Sequence, residues 1–534
     1  MGNNFQIKWK SSSKLWLILS VVFSIVLLIP LGSIFLSIFE TVGDGWNEIF
    51  DGLMQTYLLN TVILASGVSL CTLLFAVLPA WLIANYRFPF SKSLKWMMVL
   101  PLSIPTYIIA FLYGDIFSFG GEFYLLAEHL FGLGIKEIYF DIFKIYYLIP
   151  ILSSVLYPYI YLTCLDSFEN NNRTFIESAE LMGKSRSTIF RRIAIPLSRP
   201  AIVSGLFLVN MELLNDYGAM DFFGIQTFTT GIFRTWFGLN DLGTALRLAL
   251  ILFSISFIFI YVERVFRRQA KYYEEGNHAN LTKNRKGFFG SILAMVVCFI
   301  PVLIGFIFPI AKLVYNAITT YHSVDFFAYI VAMMNTVFLA VAAGSVIVIV
   351  SLSLIYGDRT GKFGWVSKLI SLSTIGYAIP GAIIAVSMLF FLSGLKASFG
   401  IFGFGTLIVL IYAYNIRFMA TAYSPIKSTT DKQGMNSYDT SRLLGNGNFK
   451  TFWKVELPII QPAILTAMLV AVVEILKELP LTLILRPFNY ETLSTIAYQY
   501  AKNEMVKDAS IYSLSIVAIS ILPIIFFVKS KKEQ

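Results

Sequence analysis

Twelve long apolar runs alternate with short polar stretches along the chain. In the first half the runs lie near 15–39, 57–84, 94–114, 145–166, 198–219 and 244–263. In the second half they lie near 289–318, 328–356, 366–393, 404–426, 459–484 and 509–528. They are apolar on all faces rather than along one stripe, and most approach or exceed the roughly 20 residues that cross a bilayer. The pattern predicts an all-α integral membrane protein with about twelve transmembrane helices. The polar stretches alternate in charge. The N-terminus, the turn at 85–95, the loop at 167–199 and the segment 264–287 are basic. By contrast, 40–56 holds Glu40, Asp44, Glu48 and Asp51 with no Lys or Arg. In the second half Arg359, Lys362, Lys427, Lys432, Arg442, Lys450, Lys454 and the tail lysines fall on the same side as the basic loops of the first. Cytoplasmic loops are the basic ones, so both termini are expected in the cytoplasm.

Composition agrees. Of 534 residues 57% are apolar and 13% charged, against about 25% charged in a soluble domain, and the mean hydropathy is +0.72. The net charge of +10 comes from Lys and Arg gathered between apolar runs. It is topological charge, and nucleic acid is excluded as a partner. Cys71, Cys164 and Cys298 lie in or beside apolar runs without a CxxC, and read as inert buried thiols. His129, His278 and His322 are scattered. The run at 15–39 is too long for a signal peptide and reads as an uncleaved first span.

The longest polar interruption within the first half contains FIESAELMGKSRSTIFRRIAIPLSRP, residues 175–200. Its skeleton is Glu177-Ser178-Ala179, Gly183, Ile193, Ile195 and Pro196. The skeleton recurs 262 residues later as Asp439-Thr440-Ser441, Gly445, Val455, Leu457 and Pro458, with 13 residues from Gly to Pro in both copies. Asn60-Thr61-Val62 is answered by Asn335-Thr336-Val337, and Pro105 by Pro380. The chain therefore reads as two parallel six-helix repeats, 1–263 and 288–534, joined by a cytoplasmic linker at 264–287. Thr174 with Glu177 has the spacing of a capping box, Ser437 is a candidate cap for the second copy, and Gly183 and Gly445 suit left-handed helix ends. Small residues at 178–179 and 440–441 would allow close approach of a partner. Arg191 and Arg192 read as topological charge.

These residues resemble the EAA motif of binding-protein-dependent ABC importer permeases. The resemblance implies the type I importer permease fold, with the loops 175–196 and 437–458 as coupling elements for two copies of a separate ABC ATPase. Glu177, Ser178, Ala179, Gly183 and Pro196 would serve one contact, and Asp439, Thr440, Ser441, Gly445 and Pro458 the other. The second copy departs from the motif, with Asp for Glu and Thr-Ser for the alanines, which predicts weaker or asymmetric contact. No GxxxxGK[ST] occurs, so ATP and Mg belong to the partner ATPase. The chain carries no cofactor of its own and is not an enzyme.

Residues 210–241 (NMELLNDYGAMDFFGIQTFTTGIFRTWFGLND) and 473–504 (VEILKELPLTLILRPFNYETLSTIAYQYAKNE) are similar to segments of the ferric-iron subfamily. That similarity implies delivery of Fe3+ by an extracytoplasmic binding protein to a bacterial inner-membrane permease. Thiamine, an aminophosphonate or another small solute is the alternative cargo. A proton- or sodium-coupled secondary transporter is the distant alternative. Glu212 and Glu474 stand 12 residues beyond Pro200 and Pro462, about 18 Å along a helix and so near mid-membrane. With Asp216 and Glu478 they are candidate pathway acids for a hard cation, with no stable metal site expected. Lys477 could neutralise Glu474 locally. Asn60 and Asn335 read as helix-packing residues, and Tyr113, Tyr217 and Tyr498 as interface anchors.

Overall fold

The computed structural model describes residues 4–39, 43, 45–118, 121–131, 137–171, 173–268, 284–285, 287–361, 363–399, 406–433 and 436–530. Among these, eleven helices are long and apolar enough to cross a bilayer. A twelfth crossing forms if Arg186–Leu197 and Arg199–Asn215, which meet at a bend of 65°, make one span. The bend has a local cause. Pro200 follows it immediately and cannot return an N–H to the preceding turn. Helices dominate because a chain in hydrocarbon must satisfy its own backbone. The two-residue parallel bridge of Tyr86–Arg87 with Asn284–Arg285 is a minor exception.

Two compact units result, and neither is one half of the sequence. One gathers residues 1–46, 235–250 and 326–495, the other 47–234, 251–325 and 496–534. In the first unit Asn4–Leu36 packs along Phe326–Gly361, Gly364–Ser373 and Gly381–Phe399. In the second, Phe308–Thr320 packs on Val506–Ser530, and Phe288–Val302 on Met54–Asn85. Each half thus lends its opening helix to the unit built mainly from the other half. The helix Leu242–Arg268 also runs into the expected linker. The linker residues 269–283 and 286 lie outside the described residues.

Two apolar runs expected as single spans are interrupted. Near 94–114 the chain forms Ser91–Met97, a 3-10 turn Leu100–Ser103, and then Thr106–Phe117. Near 366–393 it forms Gly364–Ser373, Ile375–Ala378 and Gly381–Phe399. Ile104 (φ −94°, ψ 118°) and Ile379 (φ −109°, ψ 121°) are extended because Pro105 and Pro380 exclude the helical region for the residue before them. Hydropathy could not show this, since proline breaks the backbone without adding charge.

With lipid on one side and apolar neighbours on the other, membrane helices associate through close packing at small residues. A Cβ on Gly357 would stand 2.2 Å from Ser20 Cβ, within the first unit. In the second unit, a Cβ on Gly305 would stand 2.0 Å from the Ser154 carbonyl oxygen, which is backbone and has little freedom to yield. Gly32 has no atom within 4 Å of its Cβ position. Gly305→Ala is therefore expected to destabilise the protein by at least about 1–3 kcal/mol, and Gly32→Ala to be neutral or slightly stabilising. Thermal unfolding in detergent, followed by size-exclusion fluorescence, checks the pair.

Candidate functional site

The two recurring loops fold alike. In the first, the helix Arg173–Leu181 ends at Gly183, whose φ is +74°. The Gly183 N–H bonds the Glu180 carbonyl at 2.9 Å and the Lys184 N–H bonds the Ala179 carbonyl at 3.1 Å. In the second, Asn436–Leu443 ends at Gly445, with φ +85°. There the Gly445 N–H bonds Arg442 O at 3.0 Å and the Asn446 N–H bonds Ser441 O at 3.3 Å. Both are Schellman ends, in which a left-handed residue lets two amides close the last turn. Neither Gly183 nor Gly445 has an atom within 4 Å of its Cβ position, so conformation rather than space requires glycine here. Past the turn, a second helix begins at Arg186 or Asn448 and continues toward the next span. The expected caps fall differently, because Thr174 and Ser437 are already inside the first helices.

Matched aromatic contacts hold each second helix. Phe190 lies on Trp81 with ring centroids 5.2 Å apart, and Phe452 on Tyr356 at 4.9 Å, with Trp16 completing the latter cluster. The motif positions divide by face. Ala179 and Ser441 are buried, Ser178 and Thr440 are exposed, and Glu177 and Asp439 are half-buried. This corrects the expectation that both small residues of each pair face a partner. The third position packs inward, where the Ser441 hydroxyl lies 3.0 Å from Thr451 Oγ1. The second loop has a further internal tie, since Arg359 Nη1 meets the buried Glu456 carboxylate at 2.8 Å. Each loop tip presents an apolar pair: Leu181 and Met182 are 90% and 69% exposed, and Leu443 and Leu444 are 77% and 78% exposed. Pro196 and Pro458 lie beyond these tips, in Ile195–Leu197 and at the start of Leu457–Lys477.

The candidate pathway acids separate into two kinds. The helices Arg199–Asn215 and Leu457–Lys477 stop at Asp216 and Glu478, which are extended. The break is closed by the acids themselves: Asp216 Oδ1 accepts the Ala219 N–H at 3.0 Å and Glu478 Oε1 accepts the Leu481 N–H at 3.2 Å. Glu478 is also paired with Arg417 Nε at 3.1 Å, with both side chains under 5% exposed, and Arg417 Nη1 donates to Ile379 O at 2.9 Å. Glu478 is thus held in a buried ion pair as well as capping its break, and Asp216 caps the equivalent break. Glu212 and Glu474 stand one turn earlier, partly buried, one in each unit. Glu474 meets Lys477 at 3.3 Å, the local neutralisation expected from their spacing. Asn60 donates to Gln226 O at 2.9 Å and Asn335 to Glu491 O at 3.0 Å, so both act in packing, pinning the segment after each break. Among the described residues no three His, Cys, Asp or Glu side chains converge as a metal site.

Sequence reasoning missed Arg417 and joined Tyr217 to nothing. Arg417 had a signal, being a lone cation inside an apolar run, which calls for a buried partner. Tyr217 and Tyr498 meet hydroxyl to hydroxyl at 3.0 Å, a contact between residues 281 apart in sequence that no local pattern carries.

The profile of the family described as "Binding-protein-dependent transport system inner membrane component" matches residues 72–272 and 349–530. Over 498 residues the chain is 24% identical to the Haemophilus influenzae protein named Fe(3+)-transport system permease protein FbpB 2, covering 90% of this chain and 91% of that one. It is 26% identical over 204 residues to the Salmonella typhimurium sulfate transport system permease protein CysT, covering 37% of this chain and 69% of the relative. With the Escherichia coli spermidine/putrescine transport system permease protein PotB it shares 26% identity over 182 residues, 34% of this chain and 65% of the relative.

Removing one partner of a buried ion pair strands the other charge. Arg417→Met is accordingly expected to cost about 3–5 kcal/mol. Arg417→Met combined with Glu478→Gln, which keeps an acceptor for Leu481, is expected to recover a large part of that loss. A double-mutant cycle on unfolding midpoints measures the coupling.

Proposed function

Because the chain belongs to the family of binding-protein-dependent transport system inner membrane components, we propose that it is the permease of an ATP-driven importer whose cargo is ferric iron. The observation that carries the coupling role is the repeated helix–glycine–helix element, with the same Schellman bonds and the same exposed apolar tip at two places 262 residues apart. An exposed apolar pair on a rigid turn is costly in water and marks a contact surface. Each tip docks one subunit of an ATPase dimer, which supplies ATP and Mg. The loops and both termini face the cytoplasm, in keeping with their basic flanks.

The cargo reading is supported by the Haemophilus influenzae relative, since the alignment spans nine-tenths of both chains. The relatives named for sulfate and polyamine transport align over little more than a third of this chain. An extracytoplasmic binding protein presents the ion on the side away from the coupling loops. ATP-driven closure of the ATPase pair moves both loops. Each loop is continuous with a helix bearing Glu212 or Glu474, so the displacement is delivered to the interior. The two acids are pathway-lining groups of weak, transient contact, which suits a carrier that must release its cargo.

Two measurements test this reading. Leu181→Asp and Leu443→Asp change exposed positions, so each is expected to alter folding stability by less than about 0.5 kcal/mol. Together they are expected to abolish co-purification of the ATPase. In a strain lacking the permease gene, restoring the chain is expected to restore uptake of radioactive iron supplied as ferric citrate, but not of sulfate, thiamine or putrescine. Iron uptake unchanged by deletion, with loss of one of the other solutes, would move the cargo assignment to that solute.

A further inference from the structure

Beyond the break at Asp216, the second unit holds a polar cluster that neither the coupling loops nor the buried acids account for. Tyr217 and Asp221 flank and occupy the short helix Gly218–Phe222, and Tyr498 and Lys502 lie one turn apart on Leu493–Lys502. The Tyr498 hydroxyl is 2.6 Å from Asp221 Oδ2 and 3.0 Å from the Tyr217 hydroxyl. A phenol has one proton, so Tyr498 donates to the carboxylate and accepts from Tyr217. Lys502 Nζ stands 3.2 Å from both Asp221 Oδ2 and Tyr498 Oη. Two phenol oxygens and a carboxylate thus share one spot with an ammonium above them. The phenols are nearly inaccessible, while Asp221 is 27% and Lys502 56% exposed.

We infer that Tyr217, Asp221 and Tyr498 form a transient oxygen site for a small, hard trivalent cation, in which ferric ion takes the place now held by the Lys502 ammonium. The inference rests on the cargo reading above and names where that cargo touches the permease. Phenolate and carboxylate oxygens are hard donors of the kind such an ion prefers. Oxygens about 2.0–2.1 Å from a small octahedral cation stand about 2.9 Å apart on adjacent corners, and the two oxygen pairs here measure 2.6 and 3.0 Å. Charge also balances. With Lys502 in place, one carboxylate faces one ammonium and two neutral phenols. When Fe3+ binds, both phenolic protons leave, Lys502 swings into solvent, and three anionic oxygens neutralise the ion. The buried charge is zero in both states, which limits the desolvation cost. Three protein ligands leave the remaining positions to water or a small anion, so the ion is held weakly. Tyr217 and Asp221 follow directly on the helix Arg199–Asn215, whose other end joins the first coupling loop, about 25 Å away at 1.5 Å per residue. A shift of that helix against Leu493–Lys502 pulls the oxygens apart and frees the ion.

The purified permease–ATPase complex in lipid nanodiscs, titrated with ferric nitrilotriacetate, tests the site. A phenolate-to-iron charge-transfer band in the visible is expected, weakened in Tyr217→Phe and in Tyr498→Phe and absent in the double variant. Lys502→Gln is expected to tighten binding about tenfold by removing the competing cation. The Phe variants keep their rings, including the 3.6 Å stack of Tyr217 on Phe233, and an unchanged melting midpoint confirms that they fold. No band in the parent protein, or the same band in the double variant, overturns the site. Radioactive iron uptake separates this outcome from failure of the cargo reading. Parent and double variant importing iron equally would overturn the site alone, whereas a parent that imports none would overturn the cargo assignment and the site with it. Import by the parent with at least a tenfold loss in the double variant supports both.

Discussion

A backbone in hydrocarbon has no water to bond, so wherever a helix stops within the membrane the protein must close the gap itself. That constraint organises this molecule. Among the described residues, two related pairs of breaks interrupt its apolar runs. At Pro105 and Pro380 the preceding isoleucines are extended. At Asp216 and Glu478 the side chain of the interrupting residue accepts an amide three residues on. The second break of the 326–495 unit is further tied to the first by Arg417, which reaches both Glu478 and the Ile379 carbonyl. Two discontinuous elements are thereby held by one buried guanidinium.

The two recurring loops obey a related rule outside the apolar runs. Each first helix ends in a left-handed glycine because no other residue adopts that conformation without a penalty of about 1–2 kcal/mol. The departure of the second loop from the motif looked in sequence like a weakened contact. Ser441 replaces a buried alanine and bonds Thr451, while Glu456 replaces the buried Ala194 and bonds Arg359. Both loops present an exposed apolar pair ahead of the glycine. The first loop has its own ties, since Arg186 pairs with Glu180 at 3.0 Å and lies over the Tyr86 ring.

Much of this was legible in the chain. The repeat displaced by 262 residues, the glycine ends and the Glu474–Lys477 pair are local features that the structure keeps, and among the described residues eleven helices, or twelve with the bent pair, answer the apolar runs. The prolines were visible as matching marks, but hydropathy concealed that they split their runs. Two features depended on long-range placement and were not legible. The opening helices pack into the unit drawn mainly from the other half, because an all-round apolar helix carries no stripe to name its neighbour. Similarly, Tyr217, Asp221, Tyr498 and Lys502 acquire meaning only when the two ends of the second unit come together. Read singly, Tyr217 and Tyr498 were interface anchors.

The central proposal is that each of the two loops docks one ATPase subunit. Site-directed disulfide cross-linking tests it most directly. Leu181→Cys and Leu443→Cys, placed separately and together in a chain whose Cys71, Cys164 and Cys298 are replaced, are paired with cysteines lining the ATPase surface. Each single variant is expected to capture one ATPase subunit, and the double variant two. Capture at only one position, or at neither, would contradict the claim.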